Sequence, residues 1–268
     1  MPAATVSSRA TIDDLRVPEP EVAPVLARLE QYGVAVLPRW LDPARTETLA
    51  AEFEAVFAAA HSAEAVPDEL TDTGKDLSRR YGRTSTGTHL KYGNAELKGT
   101  MPTAYEIFND QFLRSVCEGY LGRPSTLNRH LVLTDDHLPG DEVISYHFDE
   151  IRSLKFLIYL DDVDAGNGAF EIIPGTQHQG EKIRISEWLR TRDFNAVHMR
   201  VFEDFPDDLF YTLFGHFKAF LAARGVKVYA PAGSMIAFTT DAIHRAGRLE
   251  EGRRRRVARG SSYSGVWP

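Results

Sequence analysis

The sequence holds a single cysteine, Cys117, which excludes a disulfide within the chain and any cysteine-based zinc site. Such a chain fits a reducing compartment, and a cytoplasmic location is the expectation. It also lacks a surplus of positive charge. The 31 Lys and Arg stand against 38 Asp and Glu, a formal net charge of -7, which argues against a general nucleic-acid binder and points towards a neutral or cationic substrate. No apolar run approaches the roughly 20 residues that span a bilayer. The opening stretch "MPAATVSSRATIDDLRVPEPEVAP" has no apolar core of the kind a signal peptide carries. No membrane association is expected, and no repeat or low-complexity block is present beyond "RRRR" at residues 253–256.

What is present is enough for a full core: 268 residues, 43% of them hydrophobic and 26% charged, the composition of an ordered globular chain. One domain over residues 1–268 is the simplest organisation, with a helical part over about 1–122, a barrel over about 123–268 and a helical insertion over about 181–224. In "EVAPVLARLEQYG", Val22, Leu26 and Leu29 recur at helical spacing and Gly33 offers a left-handed stop. "VAVLP" reads as a brief buried strand. Asp42 then caps a helix with Pro43 in its first position and an apolar stripe of Leu49, Phe53, Val56 and Phe57. Residues 61–100 are polar, rich in Gly and Thr and without periodicity, the composition of a long loop or lid. A helix around "NDQFLRSVCEGYLG" follows. After Arg123 the pattern becomes short strands bounded by Pro, Gly, Asn or Asp: "TLNRHLVLT", "EVISYHFDE", "SLKFLIYLDDV", "AFEIIP", "VKVYA", "SMIAFTT" and "RRVARGSSYS". Asn167-Gly168 is a hairpin signal between two of them. Helices in front and strands behind predict a mainly β fold with flanking helices, a sandwich or barrel.

The chemistry gathers at "ISYHFDE". Residues i and i+2 of a strand share a face, so His147 and Asp149 can grip one ion while Phe148 points the other way. Two histidines and one carboxylate on one face of an octahedron, with the other positions open, suit a non-haem Fe(II) that must also bind a chelating cosubstrate and O2. A third ligand is therefore required, and the candidate is His244 in "FTTDAIHRAG", at the end of a strand after the turn "APAGS". The other histidines, among them His130, His178 and His216, have no comparable partners, and His178 in "PGTQH" is the one placed to serve substrate.

With "YGVAVLPRWLDPARTETLAAEFE", "HFD", "YLDDVDAGNGAFEIIPGTQH", "PAGSMIAFTTDAIHRAG" and "RRVARGSSYS" in this order, the chain resembles the phytanoyl-CoA dioxygenase-like branch of the Fe(II)- and 2-oxoglutarate-dependent oxygenases. The resemblance covers most of the chain outside residues 61–100 and 180–224. It implies a double-stranded β-helix, a cupin-like jelly roll, with iron held by His147, Asp149 and His244 at one mouth. It further implies an arginine ten or eleven residues past the distal histidine for the far carboxylate of 2-oxoglutarate, which is Arg255. A guanidinium suits that role because it holds a carboxylate through two charge-assisted hydrogen bonds. Period 2 separates Arg253 and Arg255 from Arg254 and Arg256, and parity alone leaves open which set faces the barrel. Asn128 is a further candidate for the cosubstrate or an iron-bound water, with a plain strand-edge residue as its alternative. Lys155 shares a strand face with Leu157 and Tyr159 that the resemblance places inward, where it needs a carboxylate or other partner and is a candidate to contact 2-oxoglutarate or an acidic group on the substrate, with a snorkelling surface lysine as its alternative.

The resemblance implies oxidation of an unactivated C–H bond of a small molecule, with 2-oxoglutarate and O2 as cosubstrates. Hydroxylation is the default outcome and cyclisation an alternative. A specialised metabolite is the expected substrate, and halogenation ranks lower because Asp149 is present where halogenating relatives lack the carboxylate. Two rivals remain at this point: a non-redox, cupin-like metalloenzyme such as an isomerase, and a barrel that only binds a ligand.

Overall fold

The computed structural model describes residues 9–62, 79–83, 86–124, 126–140, 146–149, 152–182, 185 and 223–263. The chain runs α1 (Ile12–Leu15), α2 (Val22–Tyr32), β1 (Val34–Leu37), α3 (Pro43–Ser62), β2 (Arg79–Arg83), β3 (Gly87–Gly93), α4 (Asn94–Thr100), α5 (Pro102–Phe108), α6 (Gln111–Leu121), β4 (Thr126–Asp136), β5 (Leu154–Tyr159), β6 (Phe170–Ile172), β7 (Val226–Lys227), β8 (Met235–Thr239), β9 (His244–Ala246) and β10 (Arg255–Tyr263). Local chemistry sets the helix ends. Gly33, at φ 77°, stops α2 by donating its N–H to Leu29 O. Asp42 accepts from Arg45 N at 2.8 Å to cap α3, and Asp110 accepts from Phe112 N at 2.7 Å to cap α6. Among the described residues no helix is long and apolar enough to cross a membrane.

Seven strands form one sheet in the order β1-β8-β5-β10-β4-β3-β2, and three form a second, β7-β6-β9. Every ladder between these strands is antiparallel. This is the mainly β, helix-flanked jelly roll that the sequence predicts. The side-chain period of two divides the large sheet between two cores. Ala35, Leu37, Phe156, Ile158, Met235, Ala237, Ala258, Leu131 and Leu133 face the helices, where Leu49, Phe53, Ile107, Phe108 and Val116 meet them. Val34, Val36, Leu157, Tyr159, Ile236, Phe238 and Val257 face inward with Phe170, Ile172 and Val228. Each fully buried Leu or Phe here stabilises the fold by about 1.5–3 kcal/mol. Tyr159 is fully buried, and its hydroxyl joins the sheets by donating to Val228 O at 3.3 Å and accepting from Phe170 N at 2.9 Å.

Three expectations change. The N-terminal part holds more than helices and the one expected strand, because β2 and β3 join β1 to supply three of the seven strands of the large sheet. Residues 61–100 are not one long loop: β2 pairs with β3, β3 pairs with β4, and α4 follows, while residues 63–78 lie outside the described residues. Asn167-Gly168 does not close a hairpin, since β5 and β6 belong to different sheets. It turns the chain from one sheet to the other: Gly168 takes φ 67°, and a Cβ there would stand 2.8 Å from Gly247 O. Most of the expected insertion over 181–224 also lies outside the described residues.

Candidate metal centre

His244 opens β9 after a turn closed by Ala242 N donating to Thr239 O at 3.1 Å. His147 lies on an extended segment that pairs with it directly: His147 N donates to His244 O at 3.0 Å, and His244 N to His147 O at 2.8 Å. That exchange sets the two imidazoles side by side, with ring centroids 4.4 Å apart. Two residues on, Asp149 N donates to Thr240 O at 2.9 Å, which turns the carboxylate to the same side. Backbone pairing between segments almost a hundred residues apart thus assembles the triad, and the i, i+2 spacing supplies its shared direction.

The atoms converge without bonding one another. Asp149 Oδ1 is 3.6 Å from His147 Nε2 and 4.0 Å from His244 Nε2, beyond hydrogen-bond range. All three ligand atoms lie within 4.8 Å of each other. Bonds of about 2.1 Å at right angles place neighbouring ligands about 3 Å apart, so a small inward movement completes the set. His244 Nδ1 is 2.8 Å from Ala242 O; a carbonyl only accepts, so Nδ1 carries the proton and the Nε2 lone pair is left for a metal. Burial pushes the His244 imidazole down to about 3, which keeps it in the neutral, ligating form. Burial alone would raise the Asp149 carboxyl, but the Lys155 ammonium beside it holds it well below the usual carboxylate range. Lys155 ion-pairs with Asp149 Oδ2, leaving Oδ1 as the oxygen that faces the imidazoles. Phe170 and Phe238, with ring centroids 5.7 and 4.8 Å from that of His244, line the side of the ligand facing the core.

The opposite faces of the same segments close on Glu171 of β6. It is 4% exposed, accepts from Tyr146 Oη at 2.8 Å and from Arg245 Nε at 2.8 Å, and sits 2.7 Å from Arg245 Nη2. The Arg245 guanidinium lies 4.1 Å over the Tyr146 ring. Burial and the bond to Glu171 raise the Tyr146 phenol, which therefore keeps its proton. One carboxylate so ties the residue before His147 to the residue after His244. Sequence reasoning missed it, because its partners are 25 and 74 positions away.

Lys155 faces inward as the resemblance implies, and within the protein its carboxylate partner is Asp149 itself. Arg255 is buried on the inner face of β10, where Nε and Nη2 donate to Asp136 Oδ2 at 3.0 and 2.6 Å and Nη1 donates to Gly168 O. Arg254 and Arg256 go elsewhere. Arg254 makes a two-pronged pair with Asp135, at 2.8 Å on each arm, and Arg256 binds Asp161; both also reach Glu54 of α3 at 2.9 Å. His178 is exposed. Asn128 falls in β4, but its side chain lies outside what is described. Arg259, four residues past Arg255 on the same face, was also missed, although the parity of "RRVARGSSYS" points to it once Arg255 is placed.

Residues 29–257 match the family described as phytanoyl-CoA dioxygenase (PhyH). No curated protein sequence matches the chain. Among solved structures, AviO1 from Streptomyces viridochromogenes Tue57 shares 16% identity over 94% of this chain and 99% of that one, with a TM-score of 0.56. The non-heme alpha ketoglutarate dependent epimerase SnoN from nogalamycin biosynthesis shares 15% over 90% and 82%, at 0.57. EctD from S. alaskensis, solved with bound Fe, shares 18% over 95% and 82%, at 0.58. At these identities the likeness establishes the fold.

Proposed function

The chain belongs to the phytanoyl-CoA dioxygenase family, and from that premise we propose that it is an Fe(II)- and 2-oxoglutarate-dependent oxygenase. It oxidises an unactivated C–H bond of a small molecule, by hydroxylation in the default case, in the biosynthesis of a specialised metabolite. The observation that carries this reading is the convergence of two imidazole nitrogens and one carboxylate oxygen, with Asp149 Oδ1 beyond bonding distance of both nitrogens. That donor set fits iron with open positions for a chelating ketoacid and O2. SnoN and EctD, both of this fold, are described respectively as alpha ketoglutarate dependent and as binding Fe.

When bound, the iron couples the conversion of 2-oxoglutarate and O2 to succinate and CO2 with insertion of the second oxygen atom into a C–H bond. The chain's own residues have separate tasks. His147 and His244 would supply ring nitrogens, and Asp149 the one anionic oxygen. Lys155 occupies the other Asp149 oxygen and keeps the carboxylate a single-point ligand. Phe170 and Phe238 exclude water beside His244. Arg255 is the proposed anchor for the far carboxylate of 2-oxoglutarate. Of its five N–H groups, the contacts to Asp136 and Gly168 use three, one on each nitrogen, which leaves one on each terminal nitrogen. Asn128 is proposed to hydrogen-bond the cosubstrate or an iron-bound water. We place the protein in the cytoplasm, where its buried cysteine, Cys117, which forms no disulfide, stays reduced.

The test is stoichiometric succinate formation from 2-oxoglutarate, dependent on Fe(II) and O2 and lost in His147→Ala. Turnover with Zn(II) or Mn(II) and no succinate would instead favour the isomerase reading.

A further inference from the structure

The net negative charge of the chain hides a cationic interior surface. Val257 packs in the inner core and Ala258 in the helix-facing one, so Arg255, Val257 and Arg259 point inward together. Register then fixes the neighbours. Arg259 stands opposite Val132 of β4 and Leu157 of β5, and Val132 stands opposite Lys91 of β3, so Lys91 and Arg259 share one rung of the inner face. His89, one inward step along β3, lies opposite Thr134. On the other side, Ser261 stands opposite Lys155, the residue in contact with Asp149. Arg259 is therefore two strand residues, about 7 Å, from the rung that supports the metal ligand. The electrostatics agree: Arg259 feels the charges of Asp149, Arg255 and Asp136, and His89 is lowered by burial and by the charges of Arg259 and Lys91.

The charges on this face pair off unequally. Lys155 is matched by Asp149 and Arg255 by Asp136, whereas Arg259 makes no hydrogen bond or ion pair with the described residues. Arg259 is partly buried; a guanidinium does not lose its proton, and one drawn partly out of water without a bonded counter-charge is placed to take it from a ligand. The cofactors proposed above do not. An iron dication and a 2-oxoglutarate dianion cancel each other, and the surplus at Arg259 stays.

We propose that Arg259, flanked by His89 and Lys91 on the inner face, binds an anionic group of the substrate, a carboxylate in its simplest form, beside the metal centre. The proposal rests on the oxygenase reading for the word substrate, and it reverses the expectation of a neutral or cationic one drawn from net charge. The specificity of the enzyme then lies in a carboxylate held by β10 a few bonds from the carbon presented to iron.

The test uses the full chain loaded with metal and saturating 2-oxoglutarate. Benzoate, 3-phenylpropionate and decanoate are each compared with the matching neutral amide by calorimetry, which needs no turnover. At least one acid should bind ten-fold or more tightly than its amide. Arg259→Gln should erase that difference, Arg259→Lys should keep part of it, and the 2-oxoglutarate concentration that half-saturates the iron should move less than threefold in either variant. The proposal is overturned if no acid is preferred by the unmutated protein, or if the preference survives in Arg259→Gln. It is equally overturned if Arg259→Gln raises the 2-oxoglutarate requirement ten-fold, because the guanidinium then serves the cosubstrate. Failure of the oxygenase reading registers separately, as absence of succinate formation with the acid preference intact.

Discussion

Tyr146 and His147 are neighbours, as are His244 and Arg245, yet the two members of each pair meet opposite fates. On the outer face, Tyr146 and Arg245 close on Glu171 at hydrogen-bond distance. On the inner face, His147 and His244 approach Asp149 only to 3.6 and 4.0 Å. One side satisfies its polar groups within the protein, and the other holds them apart for an ion. β10 sorts its arginines by face: Arg254 and Arg256 pair with Glu54, Asp135 and Asp161, while Arg255, paired with Asp136, and Arg259 turn inward. The metal site is thus recognised by a carboxylate oxygen and two imidazoles that are oriented together with the oxygen short of bonding either ring, and the clamp behind it by groups that close on each other.

Breaking the inner face should have the largest effect. His244→Ala or Asp149→Ala should lose stoichiometric iron on desalting, and succinate formation should fall by more than about 100-fold, beyond what loss of an outer partner causes. Asp149→Ala also leaves the buried Lys155 ammonium without its counter-charge, so its unfolding midpoint in denaturant should fall as well.

Breaking the outer face should weaken metal binding without abolishing it. Glu171→Gln should cost about 10–100-fold in affinity for Fe(II) or Co(II), with the far-UV circular dichroism unchanged and partial recovery in Glu171→Asp. An unchanged metal affinity in Glu171→Gln would reduce the clamp to packing.

Adjacent arginines sharpen the contrast on β10. Arg255→Ala leaves Asp136 buried and unpaired, which should destabilise the protein by about 3–5 kcal/mol and raise the 2-oxoglutarate requirement. Arg254→Ala, whose side chain is 42% exposed, should cost no more than about 1 kcal/mol in the same urea titration. If Arg255→Ala leaves the cosubstrate requirement untouched, its role is confined to the pair with Asp136.

The smallest effect concerns His89, whose imidazole is lowered by burial first and then by Arg259 and Lys91. Its folded value lies below the unfolded value of about 6.5, so the unfolded state takes up the proton first. Its contribution to stability is therefore present above that pH and declines as the pH falls below it. His89→Asn should flatten this part of the stability profile of the metal-free protein between pH 7.5 and 5, measured by urea midpoints.

The triad was legible because His147, Asp149 and His244 are residue types that coordinate metals, and two of them sit at strand spacing. The choice among four consecutive arginines was not. Period 2 gives two sets, and only the packing of Val257 against the inner core decides between them. Asn167-Gly168 signalled a turn correctly and its partner strands wrongly, since a local turn carries no record of which sheet receives the chain. Residues 79–93 read as loop because the inner face of β3 carries His89 and Lys91 where a core strand would carry apolar side chains. Glu171 was invisible for another reason: nothing near it in sequence asks for a carboxylate.

The most direct measurement is the anaerobic visible spectrum of the metal-free protein titrated with Fe(II) and 2-oxoglutarate, with His147→Ala as control. The account predicts an iron-to-ketoacid charge-transfer band that requires both additions and is absent from the variant. No band from folded, iron-loaded protein, or the same band in His147→Ala, would contradict it.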